Sequence, residues 1–275
     1  TVELIIDYNA SPSKLTLRKG KAITSNQGLY FINAKGQEKE KPQQIWTQGE
    51  TEASSCWFPT IDTPNQKTTQ EIYITVPKRF VTLSNGKLVD QVVNGSNRTD
   101  YWKMDKKHAP YLFFMGVGEY EIIKDSYNNI PIDYYVEKKY APYAKDIFGN
   151  TPEMMEFFSR ILGVAFPWNK YSQIVGRDYV SGAMENTTGV IFGDFVQKTD
   201  RELVDNWNDG IVAHEMMHHW FGDLVTCESW ANLTLNEGFA NYSEYLWAEH
   251  HDGAEAADFH RVNELRGYLG SARQQ

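Results

Sequence analysis

His214-Glu215-Met216-Met217-His218, with Glu237 downstream, is the part of this chain best suited to chemistry. Two histidines four residues apart stand one above the other on a helix, so both imidazoles reach a single ion. Neutral imidazole and carboxylate suit Zn²⁺, and two histidines plus one glutamate leave a position open, as catalytic sites do. Glu215 falls where a general base takes a proton from water that the metal activates. Eighteen residues lie between His218 and Glu237, room for a turn and a loop before a second helix returns that carboxylate. Thr234-Leu235-Asn236-Glu237 also spells a capping box, and a helix starting there with Glu237 in its first turn satisfies both readings.

The elements that must hold these residues follow from the local pattern. The helix of His214 and His218 is expected to begin between Thr199 and Asp205, where Thr199-Asp200-Arg201-Glu202 offers a capping box, and to end at Gly222. Val204, Ile211, His214, His218 and Phe221 then share one buried face. The helix of Glu237 runs to about His250 and is stopped by His251-Asp252-Gly253; another starts at Asp258 and reaches Leu269. His250, His251 and His260 sit near helix ends and read as surface histidines. Upstream, residues 138–148 form a short helix closed by Gly149-Asn150, and Thr151-Pro152 opens a longer one. Met154, Met155, Phe157, Phe158, Ile161 and Leu162 recur there at helical spacing as core. Ile174-Val175, Tyr179-Val180 and Gly189-Val190-Ile191-Phe192 read as strands.

Residues 1 to about 125 read instead as short strands: Val2-Glu3-Leu4-Ile5-Ile6, Leu15-Thr16-Leu17, Leu29-Tyr30-Phe31-Ile32, Glu71-Ile72-Tyr73-Ile74-Thr75-Val76 and Tyr111-Leu112-Phe113-Phe114-Met115. Asn85-Gly86 and Asn94-Gly95 are tight turns. This half is an antiparallel β-domain. The polar stretch around Ser126, Asn128 and Asn129 puts the boundary after 127, giving divisions 1–127 and 128–275.

Gly182-Ala183-Met184-Glu185-Asn186 precedes the metal motif. Taken with His214, Glu215, His218 and Glu237, it resembles the zinc aminopeptidases of the aminopeptidase N and leukotriene hydrolase type. That family pairs a GAMEN exopeptidase motif with HExxH and a glutamate eighteen residues on. His219-Trp220-Phe221-Gly222-Asp223-Leu224-Val225-Thr226 is similar to the family's HQWFGNLVT. In the amino-terminal half, Cys56-Trp57-Phe58-Pro59-Thr60-Ile61-Asp62-Thr63-Pro64 resembles WFPCFDEP, departing at Thr60 and Thr63. Leu83-Ser84-Asn85-Gly86 matches LSNG, Val117-Gly118-Glu119-Tyr120 resembles VGDF, and Thr47-Gln48-Gly49-Glu50 a TQFE-like loop.

The resemblance implies an amino-terminal β-domain followed by a thermolysin-like, mostly helical α/β catalytic domain, each incomplete. It implies one zinc per chain, held by His214, His218 and Glu237, and peptide substrates with a free amino terminus. Glu185 would bind the substrate's α-amino group, with Gln48 and Glu50 assisting. Gly182 and Ala183 would align the substrate strand through their backbones, small residues permitting close approach. Met184 would line the first side-chain pocket, and Asn186 completes the motif. Relatives carry an oxyanion-supporting tyrosine some sixty residues past the third ligand, and Tyr242, Tyr245 and Tyr268 do not have that position. Hence the chain is expected to bind zinc but turn over weakly, and further carboxy-terminal domains are expected to pack on the catalytic half. A zinc endopeptidase would share the ligands but not need the GAMEN segment. A non-catalytic zinc scaffold would need neither Glu215 nor an open position.

Composition agrees with this reading. The 275 residues can hold two domains, and 41% hydrophobic content supports a real core. A net charge of −9 argues against nucleic acid as a partner. The two cysteines, Cys56 and Cys227, make no disulfide framework and are expected to be buried thiols. No apolar run approaches the ~20 residues of a membrane span. Thr1 in place of an initiating Met leaves targeting unread.

Overall fold

The computed structural model describes residues 3–11, 27–204 and 208–273. Its first strands are β1 (Leu29–Ile32), β2 (Gln44–Thr47), β3 (Thr68–Pro77), β4 (Val81–Ser84), β5 (Lys87–Asn94), β6 (Asn97–His108) and β7 (Met115–Gly118). They form two antiparallel sheets, ordered β1-β2-β7-β4 and β3-β6-β5. In β3 the side chains of Gln70, Ile74 and Val76 point inward, all at even positions, as the two-residue period of a strand requires. Asn85-Gly86 turns β4 into β5. Gly86 has φ 76°, and a Cβ there would lie 1.9 Å from the Lys103 carbonyl oxygen, so only glycine fits.

The third sheet is mixed. It contains β8 (Glu121–Tyr127), β9 (Ile130–Val136), β10 (Tyr171–Gly176), β11 (Ala183–Met184) and β12 (Gly189–Gly193), in the order β11-β12-β10-β9-β8. β9, β10 and β12 run parallel at its centre, and the edge strands β8 and β11 are antiparallel to their neighbours. Every residue of β10 and β12 is buried, because both faces are covered. Alternate residues serve the two cores. Tyr134, Val175, Val190 and Phe192 face one cluster with Phe148, Phe158, Met216 and Trp247. Tyr135, Ile174 and Ile191 face the other with Leu83, Tyr111 and Phe114 from the β-half. The sheet is therefore the wall shared by the two halves.

The helices are α1 (Ala144–Phe148), α2 (Thr151–Leu162), α3 (Asp200–Leu203), α4 (Asp209–Met217), α5 (Thr234–His251) and α6 (Ala254–Ala272). Met154, Met155, Phe157 and Phe158 of α2 are buried as expected, and Gly163 closes the helix at φ 65°. α4 packs on α2 and α5, which sets the position of the metal motif.

Several expectations are corrected. Residues 3–6 form no strand, and Leu4 and Ile5 are 79% exposed; the strand expected at 15–17 lies outside the described residues. Pro110–Leu112 is a 3₁₀ turn rather than a strand, and regular pairing starts only at Met115. Tyr179-Val180 lies in the irregular connection between β10 and β11 and forms no strand. The capping box at Thr199 forms, but it starts the separate α3. The motif helix begins at Asp209 and stops at Met217, short of Gly222, so Val204 is off its face and exposed. Thr234 is the first residue of α5 and makes no side-chain cap. Residues 138–143 are a 3₁₀ helix, with only 144–148 α-helical. Cys227 is buried, whereas Cys56 is half-buried. The β8–β9 hairpin, both strands of which belong to the mixed sheet, turns at residues 128–129.

Trp247 of α5 ties this packing together. It is fully buried, meets Phe157 at 6.1 Å, and donates its indole N–H to Asp209 Oδ2 at the start of α4, 3.2 Å away. Trp247→Ala is expected to lower stability by about 3–5 kcal/mol in urea denaturation. Phe259→Ser, on an exposed side chain, is expected to change it by less than about 0.5 kcal/mol.

Candidate active site

α4 supplies His214, Glu215 and, at its carboxy-terminal cap, His218; the first turn of α5 supplies Glu237. The two imidazole rings lie 4.8 Å apart at 72° to each other. His214 Nε2 is 3.3 Å from Glu237 Oε2, and His218 Nε2 is 3.7 Å from Glu237 Oε1. One donor atom from each of the three residues lies within 4.8 Å of the others. The remaining ring nitrogens are already engaged. His218 Nδ1–H donates to the Phe221 carbonyl at 3.1 Å, which leaves Nε2 as its lone-pair atom. His214 Nδ1 faces Glu244 Oε1 at 2.9 Å. A carboxylate behind a histidine fixes ring orientation and raises its basicity as a ligand.

These side chains line a cleft of about 540 Å³ together with Glu50, Ser181, Gly182, Ala183, Met184, Glu185, Ile211, Leu233 and Glu244. Gly182, Ala183, Met184, Glu185 and Glu50, all singled out in the sequence, thus reach it. Gln48 does not line it. Its amide donates to Met184 Sδ at 3.3 Å and accepts from the Tyr179 hydroxyl, so it buttresses Met184 from behind. Asn186 is fully buried away from the cleft. Glu185 Oε1 lies 4.0 Å from His218 Nδ1.

Electrostatics dominate the cleft. Burial raises Glu215 well above the usual carboxylate range and Glu50 likewise, the latter helped by repulsion from Glu185. Burial and repulsion from Glu237 push Glu185 up to about 8. Burial works against charge on His214 too, but hydrogen bonds to Glu237 and Glu244 outweigh it and hold the imidazole at about 11. Burial and the charge on His214 bring His218 down to about 4. For Glu237, burial is outweighed by the hydrogen bond from His214 and the attraction of His218, and its carboxyl titrates low. One carboxylate oxygen of Glu215 finds no partner among the described residues. Buried carboxylates around two imidazoles call for a cation, and this donor set fits a divalent metal of the zinc type.

Two family matches, one in each half of the chain, accompany this geometry. The Peptidase M1 N-terminal domain model matches residues 3–112 and the Peptidase family M1 domain model residues 147–269. The chain belongs to peptidase family M1. Among its curated relatives, Aminopeptidase M1 of Arabidopsis thaliana is 31% identical over 75% of this chain and 24% of that protein. Human Glutamyl aminopeptidase is 32% identical over 70% of this chain and 21% of that protein. Aminopeptidase 2, mitochondrial, of Saccharomyces cerevisiae is 28% identical over 78% and 23%. The chain spans about a quarter of the length of the relatives it matches.

Within this M1 chain the structure adds residues that sequence reading missed. Glu244 follows Glu237 by two helical turns, so the spacing of α5 could have shown it. Tyr111 arrives from the β-half; its hydroxyl lies 3.5 Å from Glu185 Oε1 and accepts from Asn236 Nδ2 at 3.2 Å. The apolar run around Tyr111 carried no polar signal. Glu244→Gln is expected to weaken zinc binding about 10- to 100-fold, read by competition with a chromogenic chelator, while the fold persists.

Proposed function

We propose that this chain carries the amino-peptidase site of a zinc-dependent M1 enzyme that removes residues from the free amino end of peptides. The observation that supports this best is the pairing of two sets of groups in one cleft. His214, His218 and Glu237 form a three-donor set, and the buried Glu185 carboxylate lies beside it, 4.0 Å from His218. Zinc, when held by those three residues, supplies Lewis acidity toward the scissile carbonyl and lowers the pKa of water. Glu215 borders the same cleft with an unpartnered oxygen and acts as general base on the attacking water, then returns the proton to the leaving amine.

Glu185, with Glu50 beside it, receives the substrate's α-ammonium. A carboxylate pushed up by burial and by its neighbours gains most when a cation arrives, and the charge-assisted contact fixes the chain end next to the ligands. Gly182 and Ala183 border the cleft as the strand that the substrate backbone follows, and Met184, braced by Gln48, borders the first side chain. No tyrosine lines the cleft among the described residues, so the tetrahedral oxyanion lacks a phenolic donor here. One such donor is worth about 10²–10³ in rate, and turnover by this chain alone is accordingly slow.

Cleavage of an alanyl or leucyl peptide by the zinc-loaded chain, against the same peptide acetylated at its amino end, tests this reading. Only the free peptide is expected to be cut, and Glu215→Gln should lower the rate by about 10²–10⁴ while keeping the metal. Equal cleavage of the acetylated peptide would show an endopeptidase. Retained activity in Glu215→Gln would remove the general base.

A further inference from the structure

The Leu83-Ser84-Asn85-Gly86 turn takes no part in the chemistry above, yet it is bonded to the segment that carries Glu185. Residues 185–188 connect β11 to β12, with the Gly189 amide closing the turn on the Asn186 carbonyl at 2.7 Å. Asn85 is buried and lies against this turn from the β-half. Its Nδ2 donates to the carbonyls of Thr187 (2.7 Å) and Leu112 (2.8 Å), and its Oδ1 accepts from the Phe114 amide (2.8 Å). The Gly86 amide donates to Thr188 Oγ1 at 2.8 Å. Lys170, also buried, donates to the carbonyls of Ser84 (3.0 Å) and Thr188 (2.7 Å), clasping both turns at once.

The other side of the turn is tied to the metal helix. The Thr188 amide donates to His219 Nε2 at 3.1 Å, so the His219 proton sits on Nδ1, which donates to the Glu215 carbonyl at 3.2 Å. Thr188 itself has φ 68°. A β-branched residue in the left-handed region is costly and persists only where its surroundings overdetermine it. Here five hydrogen bonds do so: Thr188 accepts from Gly86, from Ser172 and twice from Lys170, and donates to His219.

We propose that Asn85 and Lys170 are positioning residues for the amine pocket: they lock the backbone of residues 185–188 between the β-half and α4, and so set the reach of Glu185 relative to the metal ligands. The inference rests on the reading of Glu185 as the amine anchor. It gives a role to the side-chain bonds of a turn of the β-half that does not line the cleft. Asn-Gly suits such a turn by conformation alone, but conformation does not require the Asn85 amide to be buried and bonded to Thr187.

The test compares binding of L-leucine and N-acetyl-L-leucine to the zinc-loaded chain by titration calorimetry, with zinc content and thermal melting measured alongside. Wild type is expected to prefer the free amine. In Asn85→Ala and in Lys170→Met that preference is expected to fall about tenfold, with zinc still bound and affinity for the acetylated ligand unchanged within about twofold. Glu185→Gln should abolish the preference. A residue that merely stabilises the fold would lower the melting temperature and leave the preference intact. Wild-type preference in both variants, together with its loss in Glu185→Gln, would overturn the positioning role. Preference retained in Glu185→Gln would overturn the amine-anchor reading and the positioning role with it. Should Asn85→Ala fail to fold, Lys170→Met decides by the same criterion.

Discussion

Glu50, Glu185, Glu215, Glu237 and Glu244 share one cleft with the imidazoles of His214 and His218, and the burial of Glu50, Glu185 and Glu215, to which repulsion between neighbouring carboxylates adds, is the constraint on which the rest depends. A lone buried carboxylate is neutralised by taking up a proton, and the upward shifts of Glu50, Glu185 and Glu215 show that pressure. The alternative is a cation. Two kinds suit this arrangement at two places: a divalent metal between the histidines and Glu237, and a substrate ammonium between Glu185 and Glu50. The same burial of carboxylates that makes the cleft costly to build thus makes it receptive to the groups that the proposed reaction brings together.

Such a cleft survives only on a stiff frame. The parallel centre of the mixed sheet is buried on both faces, and its alternate residues belong to two separate cores. β11 and the 185–188 turn leave from that sheet, whereas His214, Glu215 and His218 leave from α4, which packs through Met216 and Met217 into the helical core. The β-half supplies Glu50 to the wall, and Tyr111 contacts Glu185 from behind it. A Cβ on Gly49 would lie 2.2 Å from the Tyr111 carbonyl oxygen, so the loop carrying Glu50 can approach the Pro110–Leu112 turn only because residue 49 is a glycine.

Where chemistry dictates spacing, the sequence was legible. His214, Glu215, His218 and Glu237 are brought together by a four-residue helical offset and a second helix, and both leave a direct trace in residue order. The helix 151–162 was readable from its apolar period and Gly163, and the end of the helix 234–251 was readable to within a residue from the stop His251-Asp252-Gly253. Capping boxes were less dependable. The one at Thr199 formed but opened a different helix, because Asn208 and Asp209, bonded to Lys198, Val196 and Asn150, begin α4 afresh. The Thr234 box did not form because the preceding 3₁₀ turn Trp230–Asn232 runs straight into α5 through a helical Leu233. Tyr111 and Gln48 were misplaced for another reason. Their roles come from contacts across long separations, to Glu185 and to Met184, which no local pattern records.

The claim at the centre of this account is that His214, His218 and Glu237 together hold one zinc ion. Elemental analysis of the chain and of its Glu237→Ala variant, after dialysis against limiting chelator, tests it most directly. The account predicts about one zinc per chain, lost in the variant. Zinc retained equally by Glu237→Ala, or absent from the parent chain under conditions where it is folded, would contradict it.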